Sequence, residues 1–85
     1  MKILVYSASW CSPCKSAKRF LDDMNLSYEE IDIETNNISR EKLSEITGGH
    51  TVPQIVINDK CIGGYSELMQ LNQSGELKGI LSNED

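Results

Sequence analysis

The sequence predicts one α/β domain of element order βαβαββα, with a four-stranded mixed sheet flanked by helices. Three observations predict it. Apolar runs of strand length alternate with segments whose apolar residues recur every three to four positions. The glycine pairs Gly48-Gly49 and Gly63-Gly64 punctuate the second half. A chain of 85 residues has room for one core and not for two. At 39% hydrophobic and 25% charged residues, it has the balance of a globular protein rather than a disordered one.

The first element, Lys2 to Tyr6, is apolar without clean alternation, as expected of a central strand covered on both faces. From about Ser12 the period changes. Ala17, Phe20, Leu21 and Met24 fall on one helix face, Pro13 suits a first turn, and Asn25 is expected to end the helix. Tyr28 to Glu34 alternates, with Ile31 and Ile33 opposite Glu30 and Asp32, which predicts a strand near a sheet margin. A connecting helix of this length makes the first two strands parallel. Asn36 or Asn37 is expected to cap a second helix that turns Leu43 and Ile46 inward and stops at Gly48-Gly49.

Gln54 to Ile57 reads as a short strand, Asn58-Asp59-Lys60 as a tight turn and Cys61-Ile62 as the return strand of a hairpin. After Gly63-Gly64, Ser66 is expected to cap a helix carrying Leu68, Met69 and Leu71 and ending at Gly75, with one further helical turn from Glu76 to Leu81. No linker, repeat or low-complexity segment divides residues 1–85, and only Ser82 to Asp85 reads as frayed.

Between the first strand and first helix lies Trp10-Cys11-Ser12-Pro13-Cys14-Lys15. Residues three apart share a helix face, which brings the two thiols within reach of a reversible disulfide. As a staple the pair would do little, because closing so short a loop restricts the unfolded chain by only about 2 kcal/mol. Redox chemistry is the better reading. Zinc held by Cys11, Cys14, Cys61 and His50 is the weaker one, since no second CxxC or paired histidine supports it. The net charge is −5, yet residues 1–21 hold Lys2, Lys15, Lys18 and Arg19 and no acid. The basic side chains are either a solvated face or a local positive field that favours a thiolate and an anionic substrate. So acidic a chain is not expected to bind nucleic acid. No segment reaches membrane-spanning length, and Met1 to Tyr6 lacks the features of a signal peptide. Three cysteines are too few for a disulfide-rich secreted scaffold, so a reducing, cytoplasmic location is expected.

Three separated motifs together resemble a glutaredoxin of the thioredoxin-fold superfamily: Cys11-Ser12-Pro13-Cys14, Thr51-Val52-Pro53 and Gly63-Gly64-Tyr65-Ser66. Their order and spacing are similar to those of small dithiol glutaredoxins over essentially the whole chain, including Ser74-Gly75-Glu76-Leu77. The resemblance implies a cis peptide bond before Pro53, leaving the Val52 N–H and C=O free to pair with an extended peptide or glutathione. It implies that the γ-glutamyl end of glutathione lies on Gly64-Tyr65-Ser66, and that Arg40 reaches the glycyl carboxylate, a solvated surface arginine being the alternative reading. Cys61 reads as a structural thiol, with glutathionylation or a dimer-linking disulfide as the alternative, and His50 as a loop residue beside the site.

The activity implied is glutathione-dependent reduction of protein disulfides and glutathione mixed disulfides. Cys11, at the open end of the helix, is expected to be the exposed nucleophile and Cys14, one turn inside and more covered, the resolving thiol, with Trp10, Ser12, Pro13 and Lys15 in support. Glutathione serves as reducing co-substrate, with no bound cofactor, in a monomer that acts in electron transport and cell redox homeostasis. Ribonucleotide reductase is a family-level possibility among the protein substrates. The chain departs from the family's usual Pro-Tyr between the cysteines, and has Ala8 where a lysine is common. Trp10 and Pro13 are instead similar to thioredoxin's Trp-Cys-Gly-Pro-Cys, which makes recycling by thioredoxin reductase one alternative. A [2Fe–2S] carrier is another, implied by the tryptophan and serine flanking the first cysteine and opposed by the stiffness of Pro13.

Overall fold

Strand β1 (Ile3–Ser7) is central because both its edges are paired and nearly all its side chains are covered. In this computed structural model, which describes residues 2–82, it is followed by α1 (Ser12–Asp23), β2 (Glu29–Asp32), α2 (Arg40–Thr47), β3 (Gln54–Ile57), β4 (Lys60–Gly63), α3 (Tyr65–Ser74) and α4 (Glu76–Ser82). The sheet order is β2-β1-β3-β4. β1 runs parallel to β2, with Val5 opposite Glu30, and antiparallel to β3, with Ile3 opposite Ile57. β3 and β4 form the hairpin, and Asn58 and Asp59 between them both have positive φ, as a two-residue hairpin turn demands. The mixed four-stranded sheet expected from the sequence is therefore the one observed.

Ile3 and Val5 point to one face, where they meet Ala17 and Leu21 of α1, Ile55 and Ile57 of β3, Leu68 of α3 and Leu77 of α4. A second, smaller cluster of Ala8, Cys11 and Cys14 forms beyond the end of β1, with Ile33 and Val52 against it. The redox pair thus sits in its own pocket of apolar side chains beside the main core.

Several local details differ from expectation. β2 ends at Asp32 rather than Glu34, because the Asp32 carboxylate accepts from the N–H groups of Glu34 (2.8 Å) and Thr35 (3.1 Å) and turns the chain away. Asn36 and Asn37 belong to this turn, Asn37 with φ 55°. The cap of α2 is Ser39, whose Oγ accepts from the Lys42 N–H at 3.1 Å. Leu43 is buried, but Thr47, one full turn on, takes the inward place expected of Ile46, which is 45% exposed. The Thr47 hydroxyl is satisfied there, donating to the Leu43 carbonyl at 2.8 Å and accepting from the Gly49 N–H at 3.2 Å. Met24 lies past the end of α1 and is exposed, and Asn25 (φ 57°) turns the chain as expected. α3 begins one residue after Gly64, not at a Ser66 cap, and the Glu67 carboxylate accepts from the Gly64 N–H at 2.8 Å. β4 runs from Lys60 to Gly63, longer than Cys61-Ile62. Of the tail expected to fray, Ser82 closes α4 and residues 83–85 lie outside the described residues.

One polar link joins β1, α1 and β2. The Glu30 carboxylate accepts from the buried Ser7 hydroxyl at 2.7 Å and from the Lys18 ammonium at 2.6 Å. The Lys18 and Ser7 hydrogen bonds hold the Glu30 carboxyl below its ordinary value of 4.5. Its contribution to stability is therefore complete above that value and lost as pH falls through the lowered folded-state value, where the folded chain must also take up the proton. Because the Glu30 side chain is 41% exposed, the effect is modest. Lys18→Met should reduce the stability difference between pH 7 and pH 3 by about 0.5 kcal/mol, measured by urea unfolding at both. An undiminished difference would show that the pair does not contribute.

Candidate active site

Cys11 is the N-cap of α1, in extended backbone with φ −92° and ψ 108°. Its N–H donates to the Ala8 carbonyl at 3.2 Å and its carbonyl accepts from the Lys15 N–H at 3.3 Å, so the residue is fixed on both sides. The Cys14 N–H, one turn in, points at Cys11 Sγ from 3.2 Å. Pro13 has no amide hydrogen to add, which leaves Cys14 as the first-turn donor seen at this sulfur among the described residues. A negative charge on Cys11 Sγ would therefore meet a backbone donor and the positive end of a helix. The two cysteines form a disulfide, with Cα atoms 5.2 Å apart.

Both thiol positions are covered: Cys11 is 3% exposed and Cys14 fully buried. This corrects the expectation that Cys11 would be openly exposed. Ala8, Ile33 and Val52 wall the sulfurs, and the Val52 carbonyl oxygen lies 3.5 Å from Cys11 Sγ. The expected positive field is smaller than three cations would give, because Lys18 is paired with Glu30. Lys15, Ser12 and Pro13 are exposed on the first turn.

The Val52-Pro53 peptide is cis, as the resemblance implied, and Pro53 is buried at the start of β3. Gln54, itself buried, holds this loop from beneath by donating its side-chain amide to the Thr51 carbonyl at 2.9 Å. Val52 belongs to no strand pair, and among the described residues its N–H meets no acceptor. Thr51 stands between two recesses. One, of about 260 Å³, is lined by Trp10, Ile33, Arg40, His50, Thr51 and Val52. The other includes Thr51, Gln54, Cys61, Gly63, Gly64 and Glu67. Arg40, Thr51, Val52 and Gly64 therefore line recesses that meet at Thr51, with Tyr65 and Ser66 opening α3 beyond Gly64.

Cys61 is half-buried, its Sγ 3.7 Å from the Gln54 side-chain oxygen. Among the described residues no three His, Cys, Asp or Glu side chains cluster in a way that could hold a metal. Two residues of the site escaped sequence reasoning. Glu67 holds the Gly64 N–H, and its place three positions after a helix cap was a readable signal. Glu34 accepts from the Trp10 indole N–H at 3.0 Å and from the Ser9 hydroxyl at 3.3 Å, a contact across 24 residues that no local pattern announces.

With this geometry in view, comparison with known proteins is specific. A family model described as Glutaredoxin matches residues 3–62. Glutaredoxin 1 of Rickettsia conorii is 38% identical over 84 residues, covering 96% of this chain and 82% of the relative. Mitochondrial glutaredoxin-2 of Pongo abelii is 35% identical over 78 residues, and the match spans about half of that longer protein (48%) and 88% of this chain. A buckwheat glutaredoxin-glutathione complex superposes with a TM-score of 0.84 at 28% identity, covering 94% of this chain and 76% of that one. No described helix is long and apolar enough to cross a membrane.

Proposed function

The chain belongs to the glutaredoxin family, and from that premise we propose that it is a glutathione-dependent thiol-disulfide oxidoreductase working through Cys11 and Cys14. The observation that carries the reading is the Cys11–Cys14 disulfide at the head of α1, with the Val52 backbone alongside. The Cys11 thiolate attacks one sulfur of a mixed or protein disulfide. A bond forms to Cys11, the old S–S bond breaks, and the departing sulfur leaves as a thiolate that takes up a proton. The Cys14 thiol then attacks Cys11 Sγ, releasing the second substrate thiol and closing the Cys11–Cys14 disulfide. Two glutathione molecules return two electrons and two protons and leave as glutathione disulfide.

Glutathione is read as an added extended segment along Thr51-Val52, its peptide groups paired to the N–H and C=O of Val52. The free Val52 N–H and the approach of the Val52 carbonyl to within 3.5 Å of Cys11 Sγ support this. The γ-glutamyl end then lies at Gly64-Tyr65-Ser66 and the glycyl carboxylate near Arg40. Because Glu67 already holds the Gly64 N–H, a γ-glutamyl carboxylate would use the amides that follow or displace Glu67. We extend the reading to protein disulfides as substrates, a monomeric form and a reducing cytoplasmic setting, all consistent with a dithiol that must be regenerated.

The test is turnover of a glutathione mixed disulfide with glutathione as the sole electron donor, glutathione disulfide being recycled by its reductase. Steady turnover is expected. No turnover there, with turnover when thioredoxin reductase supplies the electrons, would overturn the assignment of the reductant.

A further inference from the structure

Trp10 is the most exposed large hydrophobic side chain among the described residues, at 63%, and it immediately precedes Cys11. An indole left in water is ordinarily mobile and a candidate for burial. This one is fixed instead. Its N–H donates to Glu34 Oε2 at 3.0 Å, while Glu34 Oε1 accepts from the Ser9 hydroxyl at 3.3 Å, so one carboxylate clamps two consecutive residues of the loop that leads to Cys11. Glu34 is itself anchored, its N–H donating to the Asp32 carboxylate at 2.8 Å in the turn after β2. The indole lines the same recess as Ile33, Val52, Arg40 and His50. Holding an aromatic group in place before a partner arrives lowers the ordering cost of binding.

We propose that Trp10 is a specificity-determining contact for protein disulfides, packing against an apolar or aromatic side chain that follows the substrate cysteine in sequence, and that Glu34 is the positioning residue that holds the indole for it. The direction rests on the glutathione reading above. With the γ-glutamyl end at Gly64, the segment after the cysteine runs toward the recess of Arg40, His50 and Trp10. Glutathione ends there after a single glycine, which has no side chain to offer. A protein substrate continues, and its next side chain is the one that reaches the indole.

The experiment uses two peptides, each a disulfide-linked homodimer, identical except for Phe or Gly after the cysteine. Each is mixed with the pre-reduced protein in a single turnover without glutathione. The Cys11–Cys14 dithiol gives two electrons and two protons to the peptide disulfide, which separates into two thiols. The readout is the ratio of the two rate constants, which a general loss of activity does not move. We expect the Phe peptide to react about 5-fold faster in the parent chain, and the ratio to fall to about 1 in Trp10→Ala and in Glu34→Ala. Trp10 is the sole tryptophan, so its fluorescence anisotropy decay should show a more mobile indole in Glu34→Ala. A parent ratio near 1, or a ratio retained in Trp10→Ala, overturns the proposal. A ratio retained in Glu34→Ala, or an indole no more mobile there, overturns the role of Glu34. Failure of the glutathione reading would appear separately, as absent turnover with glutathione, and leaves this ratio measurable.

Discussion

Cys11→Ser should lose activity on both glutathionylated and protein disulfides, by on the order of 10²-fold or more, because a hydroxyl cannot replace the thiolate nucleophile. Cys14→Ser should divide the two reactions. It should keep activity on a glutathionylated substrate within a few-fold, since a second glutathione can release the enzyme, and lose most of its activity on a protein disulfide that needs the resolving thiol. Burial does not distinguish the two sulfurs, as both are nearly covered. The difference is electrostatic: the Cys14 N–H and the open end of α1 point at Cys11 Sγ, whereas Cys14 lies within the helix. Initial rates on the two substrate classes decide it. An active Cys11→Ser with an inactive Cys14→Ser would reverse the roles.

Leu21→Ala should have the largest effect on stability. Leu21 is fully buried on α1 within the core cluster to which β1, β3, α3 and α4 also contribute, so truncation removes apolar burial and leaves a cavity in that core. Such changes cost about 2–5 kcal/mol, against a total of about 5–15 kcal/mol for a domain of ordinary stability. The urea midpoint should fall sharply with little change in slope. Ile46→Ala, at a 45% exposed site on α2, should change stability by about 0.5 kcal/mol or less. A Leu21→Ala loss below about 1 kcal/mol would mean that the core closes around the gap.

Where the sequence was legible, local chemistry decided the outcome. Cys11 and Cys14 are three residues apart, and their pairing follows from one helical turn. β1 reads as central because it is apolar on both faces, and β2 as marginal because Glu30 and Asp32 alternate with Ile31 and Ile33; β2 is the edge strand, with Glu29 and Glu30 exposed. Competition among equals was harder to read. Asn36, Asn37 and Ser39 all belong to the residue class that caps helices, and Asp32 settled the matter: its carboxylate holds the Glu34 and Thr35 amides and its backbone carbonyl accepts from Asn36, so the asparagines join a turn. That moved the start of α2, and Thr47 rather than Ile46 completed the inward face with Leu43. The Trp10–Glu34 contact depends on the parallel pairing of β1 and β2, which brings the ends of both strands together. No single segment contains that information.

The place of β1 in the middle of the sheet also governs the order in which the chain can assemble. Its pairing with β2 closes over α1 alone, but its other edge must wait for β3, since Ile3 pairs with Ile57. During synthesis from the N-terminus, that apolar edge stays open until most of the domain has emerged, and an unpaired strand edge is a template for association with other chains. The long loop closure raises the barrier to forming the nucleus in the isolated chain. A nascent chain ending before Gln54 should therefore remain without the native core, and cooperative folding should begin only after the hairpin of β3 and β4 is free to add to the waiting edge.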